Sequence, residues 1–108
     1  MEINPQYAPA FYIRGLVYGG QGEYDKSIVE FNRAIELKPQ YYIAYFARGL
    51  VYKYNGEYDK SLADFTKTIE ESPDNAEAYH ERGLVYEAKG ENDKAEADFS
   101  MAKELGYK

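Results

Sequence analysis

The sequence lacks the residues that many enzymes and metalloproteins need. It has no cysteine, no tryptophan and a single histidine, His80, among 108 residues. Without cysteine it cannot form a disulfide, a thiol nucleophile or a cysteine-bound metal site, and one histidine cannot build a multi-histidine metal site. No Ser–His–Asp constellation and no phosphate loop after a strand can be built from the remaining residues. We therefore expect no catalytic site, no metal and no cofactor.

Basic residues and long apolar runs are also scarce. Lys and Arg number 13 against 19 Asp and Glu, which gives a formal net charge of −6 and a pI near 4.8. This balance argues against nucleic-acid binding, because phosphate neutralisation needs clustered cations. Apolar runs extend for only a few residues and no secretory leader is recognisable, so we expect neither a membrane span nor a signal peptide. The leading class is a cytoplasmic binding or scaffolding module without membrane partners.

The sequence does contain an internal repeat of 34 residues. The recurring features are Pro5, Pro39 and Pro73, the segment Arg-Gly-Leu-Val-Tyr from positions 14, 48 and 82, and the segment Gly-Glu-Tyr-Asp-Lys from positions 22 and 56, with Asn for Tyr in the copy from position 90. A period of this length is the signature of a repeat architecture. We predict one domain over 1–108, with repeats at about 8–41, 42–75 and 76–108.

Each copy is predicted to form two helices, because apolar residues follow helical spacing in both halves. A glycine marks the end of each first helix, and an aspartate three residues later favours the start of the second. Pro39 and Pro73 end the second helix of the first two copies, whereas the third copy has Tyr107 at that place. The predicted helices cover 8–20, 24–37, 42–54, 58–71, 76–88 and 92–105. The stretch Gly19–Gly22 follows a helix, so we interpret it as a loosened helix end and not as a phosphate loop.

This pattern resembles the tetratricopeptide repeat, a 34-residue helix-turn-helix unit. The resemblance is carried by a large residue at Phe11, Tyr45 and Tyr79, a crossing glycine at Gly15, Gly49 and Gly83, an aromatic at Tyr18, Tyr52 and Tyr86, a small residue at Ser27, Ser61 and Ala95, the phenylalanines Phe31, Phe65 and Phe99, then Ala34, Thr68 and Ala102, and the closing Pro39 and Pro73. It implies an all-α fold, a right-handed α-solenoid of three repeats and six helices. It also implies protein–protein interaction and no enzyme activity.

Each copy carries an arginine and, sixteen positions later, an acidic residue. The pairs are Arg14 with Glu30, Arg48 with Asp64, and Arg82 with Asp98. Buried charges need partners, so we expect a bidentate ion pair joining the two helices of every repeat. The functional alternative is a ladder of arginines that binds anions. A matched acid beside every arginine favours the structural pair.

The inner surface of such a stack is lined by the first helices, and a helical wheel assigns its residues. The predicted peptide-binding groove consists of Tyr12, Leu16, Ile43, Phe46, Leu50, Lys53, Tyr54, His80, Leu84 and Glu87. Among these, Tyr12, Phe46 and His80 occupy equivalent positions, and we expect them to form an exposed row. The preceding residue of each, at Phe11, Tyr45 and Tyr79, is the one expected to be buried. Aromatic anchors in a concave surface are typical of binding hot spots.

The expected ligand is an extended peptide or an amphipathic helix with apolar anchors. Lys53 and His80 would orient an acidic group, whereas Glu77, Glu81 and Glu87 would favour a basic one. Some members of the family that the sequence resembles clamp the C-terminal carboxylate of heat-shock chaperones with Lys and Asn. Here Glu77 and Glu81 stand at matching places and would repel a carboxylate. We therefore do not expect a chaperone tail as the ligand.

The two ends of the predicted stack differ. The outward positions of the second helices are apolar in the first two copies, at Ile28, Ile35, Leu62 and Ile69. In the third copy they are Glu96 and Lys103, which we interpret as a polar cap on the array. Residues 1–7 resemble the end of a preceding repeat, so we interpret the chain as a piece of a longer one. The alternative function is self-assembly, in which copies stack end to end through open solenoid ends.

Overall fold

The computed structural model of the protein describes residues 7–108, and over that range it is built from α-helices alone. The helices are α1 (Ala8–Gly20), α2 (Tyr24–Leu37), α3 (Tyr42–Tyr54), α4 (Tyr58–Glu71), α5 (Ala76–Ala88) and α6 (Asn92–Glu104). Their bounds agree with the predicted ones, except that α6 ends one residue earlier. The prediction about the leader falls almost entirely on residues 1–6, which lie outside the described residues.

The ends of the helices follow from local chemistry. Gly22, Gly56 and Gly90 have φ angles of 78°, 78° and 81°, a region that only glycine enters without strain. Asn75 caps α5, since its side chain accepts a hydrogen bond of 3.0 Å from the backbone N–H of Ala78. Short turns at the three glycines place the two helices of each repeat side by side.

The glycine-rich end of α1 is regular helix. Gly19 and Gly20 both belong to α1, and the N–H of Gln21 donates to the carbonyl of Val17 at 3.1 Å. The interpretation as a loosened helix end is therefore wrong. The adjacent Gly22 supplies the left-handed residue that ends the helix, so the two glycines before it have no backbone reason to be glycine.

A close crossing joins the two helices of every repeat. A Cβ atom built on Gly49 would lie 2.7 Å from Phe65 Cε1, and Gly15 and Gly83 face the equivalent phenylalanines as closely. The Ser61 hydroxyl, buried at the crossing, donates a 2.7 Å hydrogen bond to the carbonyl of Gly49. Glycine is thus required here by space, at a helix-propensity cost of about 1 kcal/mol.

Successive repeats stack because the second helix of one packs against the first helix of the next, α2 on α3 and α4 on α5. Between the first two repeats the core consists of Phe31, Ala47 and Val51, with Tyr24 and Ile28 packed against it. The stack is elongated, with extents of 46 × 25 × 21 Å. Within residues 7–108 the helices are too short and too polar to cross a bilayer.

Bidentate ion pairs tie the two helices together in the second and third repeats, as predicted. Arg48 donates to both carboxylate oxygens of Asp64 at 2.8 Å, and Arg82 donates to those of Asp98 at 2.7 and 2.8 Å. Burial acts to lower the pKa of Arg48, but the hydrogen bonds and the negative charge of Asp64, with smaller contributions from Tyr52 and Tyr45, together outweigh burial and raise this pKa. Burial also raises the pKa of Asp64, although Arg48 acts to lower it. These arginines are structural, since each holds the carboxylate of its own repeat with two N–H donors.

The first repeat has a weaker version of this pair. Arg14 Nε lies 2.9 Å from an oxygen of Glu30, in a single contact and not a bidentate one. Arg14 Nη2 also donates to the Tyr18 hydroxyl at 3.4 Å. The prediction of a bidentate pair is wrong here. Glu30 is one methylene longer than the aspartates of the other repeats, and the Arg14 side chain is much more exposed than its counterparts.

Arginine also links neighbouring repeats. Arg48 Nη1 donates a 2.7 Å hydrogen bond to Asn32 Oδ1 on α2, and Arg82 Nη1 donates one of 3.3 Å to Thr66 Oγ1 on α4. Each of these two side chains therefore joins three helices, two of its own repeat and one of the repeat before it. The sequence analysis did not predict these contacts.

Candidate functional site: the concave groove

The predicted groove residues lie on α1, α3 and α5, which neighbour one another along the stack. Those that are exposed to solvent are Leu16, Ile43, Tyr54 and Glu87. Those that are half-buried are Tyr12, Phe46, Leu50, Lys53, His80 and Leu84. The residues are thus placed on one set of helices, but their availability to a ligand differs.

The aromatic row expected along the groove is not freely exposed. The Tyr12 ring centroid lies 5.9 Å from that of Phe31 and 5.4 Å from that of Tyr41, so its ring is covered from two sides. Phe46 packs on Phe65 at 5.5 Å. Burial also raises the pKa of Tyr12. The row forms part of the packing between the two helices of each repeat and presents only its edges to the groove.

His80 is covered as well. Its ring lies 5.5 Å from Phe99 and stacks on Tyr107 at 4.1 Å, with the planes 15° apart. The segment after α6 therefore lies over the third member of the row. The row was expected to be exposed because the neighbouring large residue of each copy was predicted to be the buried one. Tyr45 and Tyr79 are only half-buried, so this reason does not hold. Their rings lie beside the guanidinium groups of the structural arginines.

A buried ion pair in the groove changes the expected charge preference. Lys53 Nζ donates to Glu81 at 2.6 Å, and each side chain is less than one-fifth exposed. The pair joins α3 to α5, so Lys53 is not free to orient an acidic ligand and Glu81 is not free to attract a basic one. Glu77 and Glu87 are exposed and have no cation partner among residues 7–108. The free charge of the groove is therefore acidic.

An apolar pocket of about 230 Å³ opens between α1 and α3, and we name it the glycine pocket. It is lined by Gly15, Leu16, Gly19, Gly20, Tyr24, Phe31, Ala47, Leu50, Val51 and Tyr54. It exists because α1 has Gly19 and Gly20 where α3 has Lys53 and Tyr54. A Cβ built on Gly20 meets no atom within 4 Å. In the corresponding position between α3 and α5, the Lys53–Glu81 pair links the two helices.

A second pocket of about 280 Å³ lies towards the N-terminal ends of α1, α3 and α5 and beside the last turn of α4, and we name it the Phe46 pocket. It is lined by Tyr12, Tyr42, Ile43, Phe46, Thr68, Ser72, Asn75 and Glu77. Tyr41 covers Tyr12, but the equivalent residue beside Phe46 is Asn75, whose side chain is used as a helix cap. The edge of the Phe46 ring is therefore open to the groove.

The structure thus divides the predicted site into groups. Leu16, Leu50 and Tyr54 meet at the glycine pocket, while Tyr12, Ile43 and Phe46 meet at the Phe46 pocket. Leu84 and Glu87 line neither. The predicted site includes neither the space beside Gly19 and Gly20 nor the lining residues Tyr24 and Tyr42. The signal was available, because the three copies have Gly-Gly, Lys-Tyr and Glu-Ala at the corresponding positions.

The two pockets differ in chemistry. The glycine pocket is lined mainly by apolar and aromatic side chains, which is typical of sites that bury an anchor residue. The Phe46 pocket combines aromatic and apolar side chains with the polar Thr68, Ser72, Asn75 and Glu77. Among residues 7–108 no group of three His, Asp or Glu side chains is arranged to hold a metal ion.

Family models place the chain among known proteins. A TPR repeat model matches residues 20–56, and a tetratricopeptide repeat model matches residues 46–106, which is more than half of the chain. The chain therefore belongs to the tetratricopeptide repeat family. The fold agrees, since six helices in three pairs form the expected solenoid. None of the curated proteins matches the sequence.

Solved structures similar to the chain include a crystal structure of MamA, with 38% identity and a TM-score of 0.91 over 94% of this chain. MamA from Desulfovibrio magneticus RS-1 is 22% identical with a TM-score of 0.88. The first TPR of Spaghetti (RPAP3), bound to the HSP90 peptide SRMEEVD, is 21% identical, with a TM-score of 0.89 over 98% of this chain and 84% of its own. The chain spans 60% of the first MamA chain and 57% of the second.

Proposed function

We propose that the chain binds a segment of another protein in the groove of α1, α3 and α5, with an apolar anchor side chain in the glycine pocket. Tetratricopeptide repeats generally mediate protein–protein interaction. The observation that carries the proposal is the pocket itself, which is apolar, open and bordered by the exposed Leu16 and Tyr54. Its volume admits an aliphatic or aromatic side chain, and burying such a group contributes about 1.5–3 kcal/mol.

The ligand in this proposal carries a basic residue beside its apolar anchors. Glu77 borders the Phe46 pocket and Glu87 is exposed on α5, whereas Lys53 is paired with Glu81. The RPAP3 domains bind the acidic peptide SRMEEVD, but at 21% and 24% identity they share only the fold with this chain. Two free glutamates and no free lysine in the groove favour a different ligand, so a chaperone tail stays unexpected. Cytoplasmic location stays a prediction.

A displayed-peptide selection tests this proposal, with the native chain run beside Gly20→Tyr and Gly20→Ala. Gly20 is helical and faces open space, so both replacements fit the backbone. Tyrosine reproduces the side chain that α3 has at this place, where Tyr54 is 63% exposed, and should obstruct the mouth of the pocket, whereas alanine adds one carbon and should leave it open. Alanine variants of Tyr12 or Phe46 are less suitable, because these rings pack against the core.

We expect peptides with an apolar anchor and a nearby Lys or Arg to be enriched by the native chain and by Gly20→Ala, but not by Gly20→Tyr. Replacing Glu77 and Glu87 by glutamine should weaken the binding of those peptides, and added salt should have the same effect. Circular dichroism establishes that every variant is folded. Equal enrichment by the native chain and Gly20→Tyr would remove the glycine pocket from the proposal.

Self-assembly through the solenoid ends is the second candidate, and the exposed Ile13 and Val17 on α1 favour it. The opposite end is polar, since Glu96 and Lys103 are exposed on the outward side of α6. Stacking head to tail would bury these charges against apolar side chains, which is unfavourable without partners. Light scattering over a range of concentrations distinguishes the candidates. A mass that rises with concentration in the native chain and stays monomeric in Val17→Asp would support self-assembly.

A further inference from the structure

The aromatic row along the groove is covered by a second ring at two of its three members. The Tyr41 ring lies 5.4 Å from that of Tyr12, and the Tyr107 ring stacks on His80 at 4.1 Å. Every member also packs on the phenylalanine of its own repeat, so that contact does not distinguish them. Among residues 7–108 the middle member, Phe46, has no covering ring and borders the open Phe46 pocket instead.

The first repeat supplies both a ring and a cation at this place, from the segment after α2. Tyr41 covers Tyr12, and Lys38 Nζ lies 4.8 Å from the centroid of the Tyr41 ring. The equivalent residues of the second repeat, 34 positions later, are Asn75 and Ser72. The Phe46 pocket therefore lacks the planar group and the positive charge that the first repeat provides from its own chain.

The charge around the Phe46 pocket is negative. Glu77 borders it in the place of an isoleucine of the first repeat, and this carboxylate is exposed. Thr68 and Ser72 belong to the C-terminal end of α4, and the carbonyl groups of a helix C-terminus favour a cation. Lys67, in the same part of α4, is paired with Glu71 at 3.8 Å. The pocket thus matches a positively charged group of the ligand.

The shape of the pocket favours a planar cation. Its aromatic walls are Tyr12, Tyr42 and Phe46, and cations are attracted to ring faces. A guanidinium group stacks on rings and donates to a carboxylate in a fixed fork, whereas an ammonium group is a compact, strongly hydrated point charge. Arg48 and Arg82 already combine both contacts, each lying within 5.6 Å of a tyrosine ring centroid while binding an aspartate. One arginine of the ligand would supply the planar group and the charge together.

We propose that the Phe46 pocket binds an arginine side chain of the groove ligand, with the guanidinium group against the aromatic walls and donating to the Glu77 carboxylate. The inference rests on the proposed function, because it names the basic residue of that ligand and the place where it binds. A lysine, or an uncharged ring like those that cover the other two members of the row, are the alternatives that the experiment distinguishes.

The test is an NMR titration of the whole chain with three probes, N-acetylarginine amide, N-acetyllysine amide and N-acetylphenylalanine amide, at constant ionic strength. The arginine probe should cause saturable shifts at the Phe46 ring and at the amides of Asn75 and Glu77. Its dissociation constant should be at least about threefold lower than that of either other probe. The lysine probe has the same charge, so it accounts for general attraction to an acidic protein.

Two pairs of matched variants locate the site. Glu77→Gln should weaken binding of the arginine probe at least about threefold by removing its acceptor charge. Glu96→Gln removes the same charge from an exposed position on α6 and should change nothing. Asn75→Tyr should prevent binding, because it places a ring where Tyr41 lies in the first repeat. Asn75→Ser keeps a helix-capping side chain and the open pocket, so it should bind as the native chain does.

The outcomes separate this proposal from the one it rests on. The probes carry no apolar anchor, so Gly20→Tyr should bind the arginine probe as the native chain does, even if the peptide selection removes the glycine pocket. Circular dichroism establishes that the variants are folded. Absence of saturable shifts with the arginine probe, or equal dissociation constants for arginine and lysine, would overturn the proposal. Tighter binding of the phenylalanine probe, or unchanged arginine binding by Glu77→Gln, would overturn it too.

Discussion

Replacing Arg48 by methionine should cause a large loss of stability, because it leaves a buried carboxylate without its partner. The Arg48 side chain is 19% exposed and that of Asp64 is 6% exposed. The substitution keeps most of the aliphatic stem but removes two hydrogen bonds to Asp64 and one to Asn32. Removing one member of a buried ion pair costs about 3–5 kcal/mol. Because the Arg48 side chain is still partly exposed, we expect Arg48→Met to lower the free energy of unfolding by about 3 kcal/mol.

The assay is urea unfolding followed by circular dichroism, with Arg14→Met as the matched control. Arg14 makes a single contact to Glu30 and is 44% exposed, so its removal should cost at most about 1 kcal/mol. A loss of about 3 kcal/mol should lower the Tm of a chain of this size by roughly 12–24 °C. In a double-mutant cycle with Asp64→Leu, the coupling energy should exceed about 1.5 kcal/mol, because removing both charges leaves neither one buried alone.

The pH dependence of the Arg48→Met variant has a defined sign. Burial already raises the pKa of Asp64 in the native protein, and loss of Arg48 removes the group that lowers it. The folded variant then binds a proton more tightly than the unfolded chain, whose aspartate pKa is about 3.9. Stability is therefore lost as the pH rises through the folded pKa of Asp64. The difference in the free energy of unfolding between the native chain and Arg48→Met should therefore become smaller as the pH falls from about 7 towards the folded pKa of Asp64 in the variant.

The outcome that would refute this reasoning is a small effect of both single substitutions. If Arg48→Met and Asp64→Asn each left the free energy of unfolding within about 0.5 kcal/mol of the native value, the pair would have no structural role. A gap between Arg48→Met and the native chain that stayed constant with pH would contradict the assignment of the cost to a buried carboxylate.

Four further substitutions test the packing, each by the midpoint of urea unfolding. Gly49→Ala should cost about 1–3 kcal/mol, because its Cβ would lie 2.7 Å from Phe65, whereas Gly20→Ala meets no atom and should be neutral or stabilising. Equal midpoints for these two would contradict the close crossing. Ser61→Ala should cost about 1 kcal/mol by removing the buried hydrogen bond to the Gly49 carbonyl, and a neutral result would show that the bond adds nothing. Gly56→Ala should cost about 1 kcal/mol because φ is 78°, and an unchanged midpoint would rule out strain there.

The helices and the crossings were predictable because their determinants are local and repeated. The glycine with positive φ, such as Gly56, and the glycine opposite each phenylalanine recur at a fixed interval in all three copies, and Pro39 and Pro73 follow the second helices of the first two. The Arg48–Asp64 pair was predictable for the same reason, since both residues keep their spacing in every copy. The single contact of Arg14 was not, because it depends on the longer side chain of Glu30 and on an outer face without a covering helix.

The site was predicted less well because it depends on how repeats meet. Lys53 and Glu81 are 28 residues apart and pair only because α3 and α5 approach each other in the groove. The stacking of Tyr107 on His80 depends on the path of the chain after α6. A helical wheel shows which side a residue faces, but it contains no information on what a neighbouring repeat places over it.

The hydrogen bonds of Arg48 and Arg82 to the preceding repeat also bear on how the protein unfolds. In a one-dimensional array, the coupling between neighbours decides whether the repeats open together or one at a time. Both interfaces between repeats contain such a bond, so the second repeat is held on both sides and the array should open from its ends towards its middle. α1 has an arginine with no such bond among residues 7–108. Its amides should therefore exchange with solvent deuterium before those of α3 and α4, and the slowest-exchanging segment should be the second repeat, which is coupled on both sides.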